Sequence, residues 1–175
     1  MLPSSRQGDA TDASTQAALS RILEGTASEI GEGFFRALVQ TLAGALGTRG
    51  AWVTEFDPGQ RRLRALAFWL GGQWIENWEQ SVDGTPCQVV VENRRLVHFP
   101  DRILDLYPND PGLRGAGAVS YMGVPLSDVD GSVLGHLAVL DVQAMPDDPI
   151  HRAMFEIFAG RAAAELRRIR AERQV

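Results

Sequence analysis

Alternation of apolar and polar residues predicts two β-hairpins. The first joins a strand over residues 51–57 to one over residues 62–70 through Asp57-Pro58-Gly59-Gln60, where proline fixes φ and glycine accepts a positive φ. The second joins residues 119–127 to residues 133–141. In the last strand both alternating sets are apolar, which indicates a central strand whose two faces are covered.

A helical period precedes the first hairpin. A short helix over residues 15–25 leads to a second helix, which opens with a capping box of Thr26 and Glu29 and ends at Gly47. The apolar stripe of the second helix comprises Ile30, Phe34, Leu38, Leu42 and Ala45. This pattern predicts two consecutive helices before the first strand.

A long helix is predicted from Pro149 to Val175. Its apolar positions are Phe155, Phe158, Ala162, Leu166 and Ile169. Their spacing combines the period of a helix that packs on a domain with the period of a coiled coil. One helix cannot bury all of them against a single sheet. We therefore expect the early positions to dock on the domain, and Leu166 and Ile169 to meet either the helix over residues 15–24 or a second copy of the chain.

The segment between the hairpins begins with a compact helix start, Thr85-Pro86-Cys87-Gln88. Threonine is placed as the N-cap, proline at the first helical position and glutamine where it can close a capping box. This helix should end near Asn93 and be followed by a short strand over residues 96–99. Residues 100–117 show no sustained period, which predicts a long loop with one helical turn at residues 103–106. Loops of this length in compact domains are commonly functional.

Length and composition indicate one soluble domain. The chain has 175 residues, and we assign residues 15–172 to the domain and residues 1–14 to a polar, disordered tail. The tail lacks the features of a secretory signal, and no apolar run reaches the roughly 20 residues of a membrane span. The single cysteine is typical of a reducing compartment. We expect a cytoplasmic protein with no membrane partner.

Charge and residue usage exclude several functions. All 17 basic residues are arginines, so a P-loop lysine, a kinase lysine and a Schiff-base lysine are impossible. The formal net charge of −5 disfavours a nucleic-acid partner. One thiol cannot run the two-cysteine cycle of a methionine sulfoxide reductase. We therefore expect no catalytic residues and no enzymatic activity.

Several stretches resemble a GAF domain of the bacterial sensory type. They are Gly33-Phe34-Phe35-Arg36-Ala37-Leu38 with Ala51-Trp52-Val53, Gly84-Thr85-Pro86-Cys87, and Tyr121-Met122-Gly123-Val124-Pro125-Leu126 with Gly131, Gly135-His136-Leu137 and Leu140-Asp141. The resemblance spans residues 26–168. It implies an α+β, GAF-like (profilin-like) fold with an antiparallel sheet of five or six strands. The terminal helices would lie on one face, and the connecting helix and loops would close a ligand pocket on the other.

The resemblance also implies a regulatory role in signal transduction, as in sensor histidine kinases and diguanylate cyclases. The pocket would bind a cyclic nucleotide or another small metabolite. On the family pattern the ligand-binding residues are Phe68, Cys87, Val90, His98, Leu104, Tyr107, Tyr121 and His136. Family members that attach a bilin carry a histidine after the cysteine, whereas Gln88 follows here, so we expect no bilin.

A metal or haem site is not expected either. The three histidines, His98, His136 and His151, lie in different predicted elements without HxxxH or HxH spacing. The sequence Asp128-Val129-Asp130-Gly131 lacks the glutamate that a calcium loop places at its twelfth position, which here is Val139, so it is interpreted as a hairpin turn. His136 lies on an apolar strand face, where a titratable ring needs a hydrogen-bond partner or a ligand.

Two side-chain groups have alternative interpretations. Cys87 at a helix N-terminus could be a reactive thiolate and a redox sensor, or a small buried hydrophobe. Aromatic residues near the second strand could line a pocket for a flat ligand or fill the core and a dimer contact; they are Trp69, Trp74, Trp78, Tyr107 and Tyr121.

Two functional classes therefore remain on the sequence. The domain either senses a small molecule and relays its state through a homodimer of terminal helices, or it is a ligand-free module for dimerisation and signal relay whose pocket is filled by its own side chains.

Overall fold

The structure is a computed structural model that describes residues 31–174. Within this range the elements are α1 (Glu32–Leu46), β1 (Gly50–Asp57), β2 (Arg62–Leu70), β3 (Gln73–Trp74), β4 (Glu79–Ser81), α2 (Pro86–Asn93), β5 (Val97–Phe99), α3 (Ile103–Leu106), α4 (Pro111–Ala116), β6 (Ser120–Ser127), β7 (Val133–Asp141) and α5 (Pro149–Arg173). The predicted tail over residues 1–14, the helix over residues 15–25 and the Thr26/Glu29 capping box lie outside the described residues.

The strands form one antiparallel sheet in the order β3-β2-β1-β7-β6-β5, and β4 also pairs with β2. Strand β7 lies between β1 and β6, as its two apolar faces predict. The α+β fold class is confirmed, but the sheet has seven strands instead of five or six. Strands β3 and β4 are only two and three residues long, which is too short to leave an alternation in the sequence.

Both predicted hairpins are present. In the first turn the Asp57 carboxylate accepts hydrogen bonds from the amides of Gly59 and Gln60. The positive φ falls at Arg61, at 53°, and not at Gly59 as the turn sequence suggested. In the second turn Gly131 has φ 87° and the Asp130 carboxylate accepts from the Ser132 amide. This confirms the predicted hairpin turn.

One face of the sheet is covered by α1 and α5. The buried side chains between them, which we call the helix-face cluster, are aliphatic, aromatic and alanine residues such as Phe35, Leu38, Leu42, Val53, Met122, Leu137, Val139, Phe155, Phe158, Ala162 and Leu166. Helix α1 begins at Glu32, because Gly31 has φ 67° and breaks the helical path there.

The position of Leu166 changes the prediction for the end of α5. Leu166 is fully buried within one copy of the chain, and Ile169 packs against the same cluster. Leu166 is therefore not available to a second copy, whereas Ile169 remains partly exposed. The other predicted contact, with residues 15–24, lies outside the described part of the chain.

The opposite face is covered by α2, α3, α4 and the loops between them. The buried side chains there form the connecting-face cluster, which comprises Trp52, Leu63, Phe68, Val82, Cys87, Val90, Ile103, Leu113, Ala118, Tyr121, Ala138 and Leu140. Helix α2 spans Pro86–Asn93, as predicted. The region predicted as a long loop contains α3 at the expected place and also α4, which the sequence analysis did not identify.

The start of α2 differs from a capping box in detail. The Thr85 hydroxyl donates to the Val82 carbonyl oxygen at 2.6 Å instead of accepting from the helix. The Gln88 side-chain oxygen accepts from the Gly84 amide at 3.0 Å. These bonds hold α2 against the strand that precedes it.

Candidate functional site

The predicted pocket corresponds to the space between the sheet and the connecting segment. Four of the predicted ligand-binding residues belong to the connecting-face cluster and two more pack against it; they are Phe68, Cys87, Val90 and Tyr121, and then Leu104 and Tyr107. The His136 ring also lies on this side, with its centroid 5.8 Å from that of Trp52. The fold therefore brings these seven side chains to one face of the sheet.

His98 does not lie with them. It pairs with Met122 of the helix-face cluster, whereas its neighbour Phe99 packs on the connecting face. Adjacent strand residues point to opposite sides of a sheet, so the His98 side chain points away from the candidate site. Its Nε2 donates to the Met145 carbonyl oxygen at 2.7 Å.

Four aromatic side chains, Trp52, Phe68, Trp78 and Tyr121, form what we call the aromatic cage. Trp52 and Phe68 stack with a centroid distance of 5.0 Å and an interplanar angle of 16°. Trp78 lies 5.7 Å from Phe68, and Tyr121 lies 5.9 Å from Trp52. Trp52 has the most ring contacts because it lies on the central part of β1.

The other two tryptophans of the predicted aromatic group are on the opposite face. Trp69 and Trp74 contact each other at 4.9 Å and pack against the helix-face cluster. The Arg36 guanidinium lies 4.7 Å from the Trp74 ring. Trp69 follows Phe68 in β2, so strand alternation separates the two rings, and the aromatic group serves both the pocket side and the core.

The cavity beside the cage is nearly filled. Its volume is about 10 Å³, roughly the space of one water molecule. It is lined by Trp52, Phe68, Trp78, Gln80, Cys87, Asp110, Gly112, Leu113, Tyr121 and Leu140. A metabolite can enter only if part of this lining moves.

Several polar groups are nevertheless buried on this face. The His136 Nδ1 lies 2.5 Å from the Thr54 hydroxyl oxygen, and burial lowers the pKa of His136 to about 3, so the ring is neutral. The His136 Nε2 and the Trp52 Nε1 have no hydrogen-bond partner within residues 31–174. Unpaired buried polar atoms are rare in folded proteins because each costs about 1–3 kcal/mol.

Cys87 is buried and is not an accessible thiolate. Its Sγ accepts a hydrogen bond from the Tyr121 hydroxyl at 3.4 Å. Burial raises the pKa of the Cys87 thiol to about 12. Burial therefore raises the thiol pKa by more than the helix N-terminus lowers it. This result favours the interpretation of Cys87 as a small buried hydrophobe over that of a reactive thiol.

Asp110 is a buried carboxylate that the sequence analysis did not select. It caps α4, and its Oδ1 accepts from the Leu113 amide at 3.1 Å and from Gln80 Nε2 at 3.2 Å. Burial raises its pKa. The Asp110-Pro111 pair was an available signal, because aspartate is a good N-cap and proline favours the first helical position. A six-residue helix is too short to add a period to that signal.

A larger groove of about 670 Å³ lies elsewhere, between α1, β2 and the end of α5. Its charged groups already pair with one another: Arg36 binds Glu76 and Glu32, and Arg168 binds Glu165 and Glu172. The groove is open to solvent and its lining mixes charged with apolar residues, so it lacks the enclosure that is typical of a small-molecule site.

The described residues hold no cluster of three or more His, Cys, Asp or Glu side chains that could bind a metal. In the same part of the chain, every helix is too short or too polar to cross a lipid bilayer.

Solved structures of similar fold include GAF domains of two bacterial phosphotransferases. A GAF domain of a phosphoenolpyruvate-protein phosphotransferase from Coxiella burnetii is 18% identical with a TM-score of 0.76, and the match covers 93% of this chain and 98% of that one. The corresponding Acinetobacter domain is 12% identical with a TM-score of 0.73, covering 94% of this chain and 98% of that one. At these identities the likeness shows the fold alone.

The chromophore-binding domain of Stigmatella aurantiaca phytochrome P1 is a further neighbour. It is 16% identical with a TM-score of 0.68, and the match covers 94% of this chain but only 62% of that one. No curated protein matches the sequence significantly. The sequence matches the family model described as "GAF domain" over residues 31–166, which is most of the chain. The chain therefore belongs to the GAF domain family, whose members are sensory and regulatory domains.

Proposed function

We propose that this GAF domain is a non-catalytic sensor that binds a small organic molecule at the aromatic cage and relays occupancy through α5. The observation that carries the proposal is the set of buried polar groups on the connecting face. A face that served only for packing would gain stability from apolar residues at these positions. Asp110 and Trp52 instead line the cavity, and the Trp52 Nε1 has no hydrogen-bond partner within residues 31–174.

The small cavity requires that the site opens when a ligand binds. Trp78 is half-buried. Its indole nitrogen lies close to Gly112 of α4, where an added Cβ would be 3.5 Å from that nitrogen. Helix α3 exposes 60% of Leu106, so its outer side has little packing to lose. Movement of Trp78 together with α3 and α4 would enlarge the cavity without disturbing the sheet.

A path from the site to α5 runs along β1. Thr54 contacts His136, and the next residue, Glu55, accepts hydrogen bonds from Arg173 at 3.0 and 3.1 Å. Arg170 lies 3.6 Å from the same carboxylate. A shift of β1 at Thr54 would therefore move the final turns of α5.

We further propose that α5 reads out the signal within a homodimer. Leu166 is buried, so the contact would use the exposed small residues Ala153, Gly160 and Ala164. Small side chains allow two helices to approach closely. Ala164→Glu should convert the dimer to a monomer in light scattering, whereas the control Ala144→Glu, in an exposed loop, should not change the mass. A monomeric wild-type protein at high concentration would contradict this part.

The second candidate is an interaction module with no ligand, and the observation that favours it is the nearly filled cavity. Native mass spectrometry of protein isolated from its own host distinguishes the two. A sensor should show a small-molecule mass excess that Leu113→Phe, which fills the cavity, removes. The control Leu106→Phe, on the exposed side of α3, should retain it. If neither wild type nor control carries extra mass, the sensing proposal fails and the interaction module stands.

A further inference from the structure

The Asp110 carboxyl group has no basic partner within the described part of the site. The side chain is only 3% exposed, and its hydrogen bonds come from the uncharged Leu113 amide and Gln80 side chain. No salt bridge joins it to a basic group within residues 31–174. All basic side chains of the chain other than histidine are arginines, and none of them lines the cavity within the described range.

Capping α4 does not require this charge. Asparagine and serine are N-caps of about the same quality as aspartate, and they would leave no carboxylate in the core. A buried charge is retained at low cost only when a partner of opposite charge compensates it. The second feature of the cavity, the aromatic cage, indicates the type of partner.

Aromatic ring faces carry negative potential and attract cations within about 6 Å of the ring centroid. The cage places Trp52, Phe68, Trp78 and Tyr121 around the same cavity wall as Asp110. The Tyr121 hydroxyl donates to Cys87, and its lone pairs can accept from a donor in the cavity. The site thus combines a carboxyl group, four aromatic rings and an acceptor oxygen, with no basic lining group among the described residues.

We propose that the head group recognised at this site is a protonated amine of an organic ligand, with Asp110 as its counter-charge and the aromatic cage around its methylene groups. This inference rests on the proposed sensing function and narrows its ligand to organic ammonium compounds. Trp78 is the outermost member of the cage, and its displacement opens the route by which the head group reaches Asp110.

The test uses n-butylammonium chloride and n-butanol, which differ only in the terminal group, at matched ionic strength. Binding to the whole chain is followed by saturation-transfer NMR and by the fluorescence of the cage tryptophans. The wild type should bind n-butylammonium at least tenfold more tightly than n-butanol. Asp110→Asn, which keeps the α4 cap, should lose that preference, and Trp78→Leu should weaken n-butylammonium binding several-fold.

The matched control is Asp105→Asn, because Asp105 is an exposed acid on α3 of the same connecting segment. It should bind both probes as the wild type does, and thermal unfolding should show that all three variants are folded. If both probes bind equally and Asp110→Asn changes neither, the amine inference is overturned while ligand binding at the site stands. If neither probe binds the wild type, the amine inference is also overturned, and the native mass measurement decides the proposed function separately.

Discussion

The two faces of the sheet are built differently although the same strands supply both. The helix face is packed by aliphatic side chains and phenylalanines from α1 and α5. The connecting face contains the aromatic cage and the buried polar residues Thr54, Thr85, Asp110 and His136. Buried apolar contacts stabilise a domain directly, whereas buried polar groups stabilise it little and fix specific geometry. The helix face therefore supplies mainly apolar packing, and the connecting face holds the polar groups on which the proposed recognition rests.

The largest expected effect is on the helix face. Phe158 is fully buried, so Phe158→Ala should lower the free energy of unfolding by about 3–5 kcal/mol through lost burial and a cavity. Urea denaturation measures this change. Ile150→Ala, an exposed position on the same helix, should change it by less than about 0.5 kcal/mol. Equal losses in both variants would show that α5 does not anchor the fold as described.

The next effect concerns the contact between β1 and β7. A Cβ at Gly135 would lie 1.9 Å from the Thr54 carbonyl oxygen. Because this oxygen belongs to the backbone of the paired strand β1, it cannot move away by a side-chain rotation. Gly135→Ala should therefore destabilise the protein by about 2–3 kcal/mol. Gly160→Ala on the open side of α5 meets no atom within 4 Å and should instead stabilise by up to about 1 kcal/mol. Thermal unfolding of the pair tests this opposite sign.

The buried titratable groups of the connecting face should make the stability of the protein depend on pH. The pKa of His136 falls from 6.5 in the unfolded chain to about 3 in the folded protein because of burial. The unfolded chain therefore binds the extra proton between these values, and stability should fall as pH falls below about 6.5, by up to about 1.4 kcal/mol per pH unit. Asp110 acts in the opposite sense, because its pKa is raised by folding.

His136→Asn, which can still bond Thr54, isolates the histidine contribution. Denaturation at several pH values should give the variant a shallower loss of stability on the acid side than the wild type has. Parallel curves would mean that the His136 ring is already solvated in the folded protein, and that the connecting face is more open than the packing indicates.

The smallest effect is expected at Cys87. A buried thiol whose pKa is about 12 is almost wholly protonated at pH 8, so alkylation by iodoacetamide should be at least about a hundredfold slower than for a free cysteine. Mass spectrometry with increasing urea should show the reaction following global unfolding. Rapid alkylation of the native protein would restore the redox-sensor alternative.

Local sequence patterns predicted the backbone well where an element is long. The two hairpins, α2 and α5 all have several turns or alternations, and their bounds agree with the structure to within one or two residues. Short elements escaped because they contain no full period. Helix α4 could be detected only from the Asp110-Pro111 pair, and β3 depends on its pairing with Trp69 and Leu70.

The position of the candidate site was predictable in outline, but its buried polar groups were not. The family resemblance selected Phe68, Cys87 and Tyr121, which do lie together on the connecting face. It could not exclude His98, because a three-residue strand shows no alternation from which a face could be assigned. Nor did it select Asp110: the Asp110-Pro111 pair indicates a helix cap, but the contact with Gln80, 30 residues earlier, appears only in the folded chain.

The amino-acid sequence by itself determined the fold family, the order of the long elements, the lack of lysine chemistry and the presence of a single thiol. Periodicity, composition and residue type are local properties, so they can be read along the chain. The tertiary structure decided which aromatic rings form the cage, that the Cys87 thiol stays protonated, and that the Asp110 carboxyl group is buried. Those properties depend on burial and on neighbours from other elements, and both exist only after the strands have paired and the connecting segment has folded over them.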